Sequence, residues 1–200
     1  MTDELTVDRR TYLATTGAAA VGATALAGCL GGGTGTLATQ VTDQPGDIDD
    51  FESCIVTIVG MWLGPEDAET PAGNATDGGS SADREYYEYD EPQEADLVDL
   101  QDSSTQLVDE RELDTSSYSY LQLDIEGVDA TLTNGDSAQV DVPGEAPLTF
   151  NSSFEIRADT RTVFTADFTP VQRSQGGGYL IRPVPDGITV EYEQDTATSN

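Results

Sequence analysis

The loop after the first predicted strand carries the densest group of side chains that could hold a metal ion. Asp43, Asp47, Asp49 and Asp50 fall close together, and Glu52 follows directly. Carboxylate oxygens are the ligands that calcium prefers. The segment departs from the EF-hand pattern, because the fifth position counted from Asp47 is aromatic and the sixth is not Gly. Two interpretations therefore stay open: a calcium site at the four aspartates, or a solvated acidic loop.

The composition excludes most other kinds of catalytic and metal-binding site. The 200 residues include 38 Asp and Glu, eight Arg, no Lys and no His, so the formal net charge is −30. Without His and Lys there is no Ser-His-Asp or Cys-His nucleophile, no His-ligated zinc and no Schiff base. Nucleic-acid binding depends on basic residues that neutralise phosphates, and this chain has no basic patch. We therefore expect no enzymatic activity, no cofactor and no nucleic-acid partner.

The acidity has a second implication. Acidic residues are dispersed among apolar ones rather than gathered in blocks, and arginine supplies every side-chain cation. This pattern resembles haloarchaeal proteins, whose surface self-repulsion is screened at molar salt, where the Debye length is about 3 Å. We expect the fold to depend on high salt.

The N-terminal segment resembles an export signal. Arg9 and Arg10 begin a stretch similar to the twin-arginine motif, and a weakly apolar run over 14–27 follows, shorter than the roughly 20 residues of a membrane-spanning helix. The run ends in a sequence similar to the lipobox of bacterial and archaeal lipoproteins: Leu26, Ala27, Gly28 and Cys29. We expect a signal peptide over 1–28, a lipid on Cys29, and a chain held on the outer face of the cell membrane.

The second cysteine is expected to be structural. If Cys29 carries lipid, Cys54 has no partner for an intramolecular disulfide. Cys54 shares the strand parity of Val56, Ile58 and Trp62, and no cation lies beside it in sequence. The pattern predicts a buried, unreactive thiol with these side chains around it.

Short segments of alternating apolar and polar residues predict an all-β fold. A Gly-rich tether over 29–35 leads into an antiparallel β-sandwich over 36–193, with a disordered tail over 194–200. Residues 106–113 are expected to form at most a turn or two of helix, and Asn134-Gly135 favours a tight hairpin. The predicted strands cover 36–42, 51–63, 94–100, 118–125, 128–133, 137–142, 146–150, 153–158, 162–168, 179–182 and 188–192.

An acidic loop insertion is expected over 64–93, which is rich in Gly, Ser and Pro and poor in aliphatic residues. The tyrosines near its end favour the start of an edge strand, with an aromatic patch as the alternative: Tyr86, Tyr87 and Tyr89. Asn74 and Asn151 each begin an N-glycosylation acceptor pattern.

Several short motifs are spread along the predicted domain: Thr42-Asp43-Gln44-Pro45, Ile55-Val56, Asp99-Leu100, Leu113-Asp114, the segment 150–168 and the closing 179–183. Together they resemble the domain of unknown function 4382 family, whose members are often lipid-anchored. The resemblance covers about Thr36 to Tyr192. It implies a prealbumin-like or immunoglobulin-like sandwich and brings no active site.

These observations lead to two functional hypotheses. The first is a non-enzymatic surface lipoprotein that binds or adheres to a surface protein or glycan, with membrane lipid reached through Cys29. The alternative is an ion- or solute-binding lipoprotein that serves a membrane transporter. A single sandwich is small for a two-lobed solute receptor, which favours the first.

Overall fold

The computed structural model describes residues 32–44, 46–66, 84–142, 147–174 and 177–194. In these ranges the chain forms strands and 3₁₀ turns but no α-helix, and no helix there could cross a membrane. The strands are β1 (Thr34–Thr42), β2 (Phe51–Pro65), β3 (Glu85–Asp96), β4 (Gln106–Asp114), β5 (Ser116–Leu132), β6 (Val140–Asp141), β7 (Leu148–Phe150), β8 (Phe154–Ile156), β9 (Thr160–Gln172), β10 (Tyr179–Pro183) and β11 (Thr189–Gln194). The 3₁₀ turns are Ile48–Asp50, Leu97–Leu100 and Pro185–Gly187.

The strands form two sheets. In the first, the order is β4-β1-β9-β10-β6, and β11 also pairs with β9. In the second, the order is β3-β2-β5-β7, and β8 also pairs with β5. The predicted β-sandwich is therefore confirmed. Most pairings are antiparallel, but β1 runs parallel to β9 and β10 runs parallel to β6, which the sequence pattern did not indicate.

The core lies between the two sheets and is built from the alternating apolar residues. Phe150 and Phe154 of the second sheet and Phe164 and Phe168 of the first are all buried. The ring centroids of Phe154 and Phe164 are 5.1 Å apart, and those of Phe150 and Phe168 are 6.1 Å apart. These contacts join the two sheets across the interior.

The expectation of helix over 106–113 is wrong. The segment is strand β4, which pairs antiparallel with β1 and buries Val108 and Leu113. Glu, Leu, Gln and Arg favour helix locally, but pairing with β1 satisfies backbone groups along an edge that would otherwise be open.

The predicted hairpin turn at Asn134-Gly135 is present, but its second strand is not. The Gly135 N–H donates to the Leu132 carbonyl at 2.8 Å, and Gly135 has a φ of 85°. After a single bridge between Thr131 and Ser137, the chain leaves the hairpin, and β6 joins the first sheet. The segments 118–125 and 128–133 are likewise one continuous strand, β5.

The boundaries differ from the expected ones at several places. The predicted strand 94–100 is the end of β3 followed by the 3₁₀ turn Leu97–Leu100, and β9 extends beyond 162–168 at both ends. β1 begins at Thr34, so the last two residues of the predicted tether pair with β4. β2 extends to Pro65 and β3 begins at Glu85, so strand occupies both ends of the expected insertion. The prediction that the tyrosines near 86–89 begin an edge strand is confirmed. The disordered tail is expected over 194–200, but Gln194 is the last residue of β11. Residues 195–200 lie outside the described ranges.

Candidate functional site

A row of four side chains crosses the outer surface of the second sheet. Trp62 of β2 is paired with Tyr86 of β3 on one side and with Gln122 of β5 on the other. Gln122 is in turn paired with Thr149 of β7. Because directly paired residues point to the same side of a sheet, the four side chains form one row. We call this row, with Arg84 and Tyr120, the aromatic face.

A bulge in β2 places Trp62 on this surface. Cys54, Val56 and Ile58 point into the core, as predicted, but the register shifts between Ile58 and Gly60. An extra residue in a strand reverses the inward and outward positions beyond it. Met61 and Leu63 are therefore buried, and Trp62 is partly exposed. The expectation that Trp62 shares the buried parity of Cys54 is wrong for this reason.

Two glycines flank Trp62 and let aromatic rings lie over the backbone of β2. A Cβ atom at Gly60 would lie 2.6 Å from the Tyr86 hydroxyl oxygen, and one at Gly64 would collide with the ring of Tyr120. Side chains at these two positions would therefore displace the neighbouring tyrosines. The Gly-x-Trp-x-Gly spacing thus makes room for the rings on both sides of Trp62.

Arg84 connects the aromatic rings to the polar half of the row. Its guanidinium lies 4.1 Å from the Trp62 ring centroid, and its Nη1 donates to Gln122 Oε1 at 2.7 Å. Gln122 Nε2 donates to Thr149 Oγ1 at 2.8 Å. The ring of Tyr86 lies 4.4 Å from that of Trp62. The side chains are thus held in place by one another, which lowers the entropy lost when a partner binds.

The tyrosines of this surface remain protonated hydrogen-bond donors. Burial raises the pKa of Tyr86, and its hydrogen bond to Asp124 raises it further, with the hydroxyl donating to Asp124 Oδ2 at 3.1 Å. Burial also raises the pKa of Tyr120, opposed by the nearby Arg84 charge. Tyr120 and Gln122 are buried beside this surface, so the side chains that a partner can reach are Trp62, Tyr86 and Arg84. These three can bind a partner, but they include no nucleophile or general base.

Cys54 provides no nucleophile either. The thiol is free and fully buried, and burial, followed by the charges of Asp96 and Asp43, raises its pKa to about 12. The prediction that Cys54 is buried is confirmed, and its low reactivity stays a prediction.

A shallow depression of about 330 Å³ lies where strand β3 meets β4 of the other sheet. Its lining includes Tyr89, Asp90, Leu107 and Glu110, and it is open to solvent. Arg111 lies beneath the neighbouring tyrosines and donates two hydrogen bonds of 2.6 Å to Asp109. The acidic rim would repel anions.

The four aspartates proposed for calcium point to different partners. Asp47 Oδ2 accepts from the Gln172 N–H at 2.6 Å, and Asp50 Oδ2 accepts from the Tyr179 hydroxyl at 2.8 Å. Asp49 is exposed, whereas Asp43 is buried at the end of β1. Among the described residues no three Asp, Glu, Cys or His side chains are placed to share a metal ion. The geometry therefore gives this set of four no common site.

Most of the other predicted sites lie outside the described residues. Asn151 is the exception, since it is exposed between β7 and β8, where a glycan could be attached. Its glycosylation stays a prediction. The sites outside the described ranges are Arg9, Arg10, Leu26, Ala27, Gly28, Cys29 and Asn74.

The fold and the surface together define a two-sheet, all-β sandwich domain with an aromatic patch on one outer face. The model of a protein family, the domain of unknown function DUF4382, matches residues 34–183, from the first residue of β1 to the last of β10. The chain therefore belongs to this family, as its motifs indicated. A search of curated proteins finds no match.

Proposed function

We propose that this protein is a non-enzymatic binding module, lipid-anchored on the outer face of the cell membrane of a halophilic archaeon, and that the aromatic face binds its partner. The observation that carries the proposal is the Trp62–Tyr86–Arg84 cluster on an outer sheet surface. Trp, Tyr and Arg are the residues that most often dominate binding energy at interfaces. The partner is a surface protein or a glycan.

The anchoring part of the proposal rests on the N-terminal sequence. Four residues separate Cys29 from Thr34, the first residue of β1, and the five residue steps between them span at most about 17 Å. A lipid on Cys29 would thus hold the start of β1 close to the headgroups. The backbone N–H of Thr115, which precedes β5, donates to the Gly33 carbonyl, and the beginning of β5 pairs with the end of β2. The aromatic face therefore lies in the same half of the sandwich as the start of β1, where the N-terminal segment joins the domain.

The alternative, a solute-binding lipoprotein that serves a transporter, finds less support. The depression between β3 and β4 and a second one lined by Ser116, Glu155 and Arg157 are both open surface features. A solute receptor usually buries most of its ligand.

The test uses intact cells at molar salt. The wild-type chain and a Cys29→Ser variant are fractionated, and we expect the wild type in membranes and the variant released. Surface-accessible chains are then crosslinked chemically and recovered, with Trp62→Ala compared with Tyr192→Ala, an exposed aromatic residue of the first sheet. We expect the same crosslinked partner for wild type and Tyr192→Ala and loss of it for Trp62→Ala. Release of the wild type from membranes, or equal crosslinking of both variants, would contradict the proposal.

A further inference from the structure

Two acidic side chains and a threonine meet at the end of the sandwich where β1 finishes. Asp43 follows the last residue of β1, Thr42, whose parallel partner on β9 is Asp167. Thr169 lies two residues further along β9. The three 3₁₀ turns pack against β1, β2 and β9 at this end. The two carboxylates and the hydroxyl are thus enclosed by the fold.

Four oxygen atoms of this group form no well-aligned hydrogen bond with a described residue, although the Thr169 hydroxyl lies near enough to the Asp43 carboxylate to lower its pKa. They are both carboxylate oxygens of Asp43, Oδ2 of Asp167 and Oγ1 of Thr169. The side chains are also buried: Asp43 is 1% exposed, Asp167 0% and Thr169 7%. The remaining oxygen, Asp167 Oδ1, accepts from the Gln44 N–H at 3.0 Å. A buried carboxylate without a partner carries a large desolvation cost, and two neighbouring ones also repel each other.

No arginine of the described residues forms an ion pair with Asp43 or Asp167. The described ion pairs of arginine are with Asp109, Glu110, Asp141, Glu155 and Glu193. Two glycines instead bring the backbone against the group. A Cβ atom at Gly187 would collide with Asp167 Oδ2, and one at Gly46 would lie 2.5 Å from Thr169 Oγ1. The group is therefore closely surrounded by chain. Arg182 of β10, which is paired with Thr169, is exposed and forms no ion pair with either carboxylate.

We propose that Asp43, Asp167 and Thr169 bind a hard metal cation, with calcium the ion best suited to the site. All four unpartnered atoms are oxygens, the ligand type that calcium takes, and calcium coordination needs six to eight of them. Backbone carbonyls and water would complete the shell. The ion would neutralise two buried charges and tie the end of β1 to β9.

This site differs from the one that the sequence indicated. It keeps Asp43 but replaces Asp47, Asp49 and Asp50 with residues of β9. It lies at the opposite end of β1 from Thr34 and does not depend on the aromatic face. Because the ion would be buried, its role would be structural rather than that of a transported cargo.

The experiment measures calcium binding and thermal unfolding of the full chain carrying Cys29→Ser, at molar KCl. The chain is stripped with EDTA, and calcium, magnesium or sodium is added at constant ionic strength. Bound calcium is measured by atomic emission after gel filtration. We expect one calcium per chain and a rise in Tm of about 5–10 °C when free calcium exceeds Kd a hundredfold.

Three variants distinguish the ligand sets. Asp43→Asn and Asp167→Asn should lose the bound calcium and the calcium-dependent rise in Tm, whereas the exposed Asp49→Asn should keep both. Asparagine keeps the side-chain shape and removes a buried charge, so we expect these variants to fold in EDTA. Calcium retained by Asp43→Asn and Asp167→Asn, or lost by Asp49→Asn, would overturn the assignment. A wild type with no bound calcium and no response to any cation would overturn it too and would favour a proton shared by the two carboxyls.

Discussion

The buried carboxyl of Asp43 makes a specific prediction about stability in the absence of divalent cations. Burial raises the pKa of Asp43 from 3.8 to about 7; the nearby charges of Asp167 and Asp49 add to this rise, and the Thr169 hydroxyl opposes it. In the unfolded chain the carboxyl titrates near its ordinary value. Because burial is the largest cause, salt in the solvent cannot remove the shift.

The sign follows from proton counts. Below about pH 4 the carboxyl is protonated in both states, and its titration costs no stability. Between about pH 4 and pH 7 the folded chain keeps a proton that the unfolded chain has lost, so the free energy of unfolding falls as pH rises. Above about pH 7 the carboxyl is ionised in both states, so the destabilisation has reached its full value and no longer grows with pH. A difference of about three pKa units corresponds to about 4 kcal/mol.

The variant Asp43→Asn removes this titration. We expect it to become more stable relative to wild type as pH rises, with the gap widening by about 2–3 kcal/mol between pH 5 and pH 8. The assay is urea unfolding in EDTA and molar KCl, followed by the fluorescence of the single tryptophan, Trp62. Asp49→Asn serves as the exposed control and should follow the wild type. If the free energies of unfolding of wild type and Asp43→Asn change with pH in parallel, the prediction is refuted, because the Asp43 carboxyl would then titrate alike in the folded and unfolded states.

Three further predictions concern packing, thiol chemistry and salt. Gly64→Ala should lower the free energy of unfolding by about 1–3 kcal/mol, because its Cβ would collide with the buried Tyr120 ring. Gly127→Ala, whose Cβ meets nothing within 4 Å, should be neutral or slightly stabilising in the same urea unfolding assay. An equal loss of unfolding free energy in Gly64→Ala and Gly127→Ala would contradict the packing around Gly64. Cys54 should react with a disulfide reagent at pH 8 only as fast as the chain unfolds, since the thiol is buried with a pKa raised to about 12; rapid reaction in the native state, read by absorbance, would contradict this. Dialysis from molar to millimolar salt should abolish the far-UV circular dichroism of the folded chain, whose net charge is −30, and an unchanged spectrum would oppose the halophilic interpretation.

The sandwich was predictable because burial on one side of a sheet imposes a period of two. Val56 and Ile58 of β2 and Leu121 and Leu123 of β5 follow that period and are buried. The period cannot reveal a bulge. One extra residue after Ile58 turned Trp62 from an expected core residue into the centre of the aromatic face.

The aromatic face had a partial signal in the sequence. Glycines two positions before and after a tryptophan indicate a close approach by neighbouring groups. The identity of those groups, Tyr86 and Tyr120, depends on strand pairing and register, which the local sequence does not specify.

Of the three residues in the buried oxygen group, the sequence pattern indicated only Asp43. Asp167 and Thr169 lie on β9, far along the chain, and they approach Asp43 through a parallel pairing. The local cluster of acids drew attention to Asp47 and Asp50, whose carboxylates instead accept hydrogen bonds from Gln172 and Tyr179. Acid density in sequence therefore misidentified the residues that share a buried environment.

The most direct test of the proposed function compares two tyrosines of nearly equal exposure. Tyr86 on the aromatic face is 38% exposed, and Tyr192 on the first sheet is 37% exposed. A photoreactive phenylalanine is placed at either position in the full chain, and intact cells are irradiated at molar salt, with and without prior periodate oxidation of surface glycans. We predict a discrete crosslinked partner from position 86 and none from position 192, with periodate sensitivity identifying a glycan and resistance a protein. Equal crosslinking from both positions, or none from position 86, would contradict the assignment of the aromatic face as the binding surface.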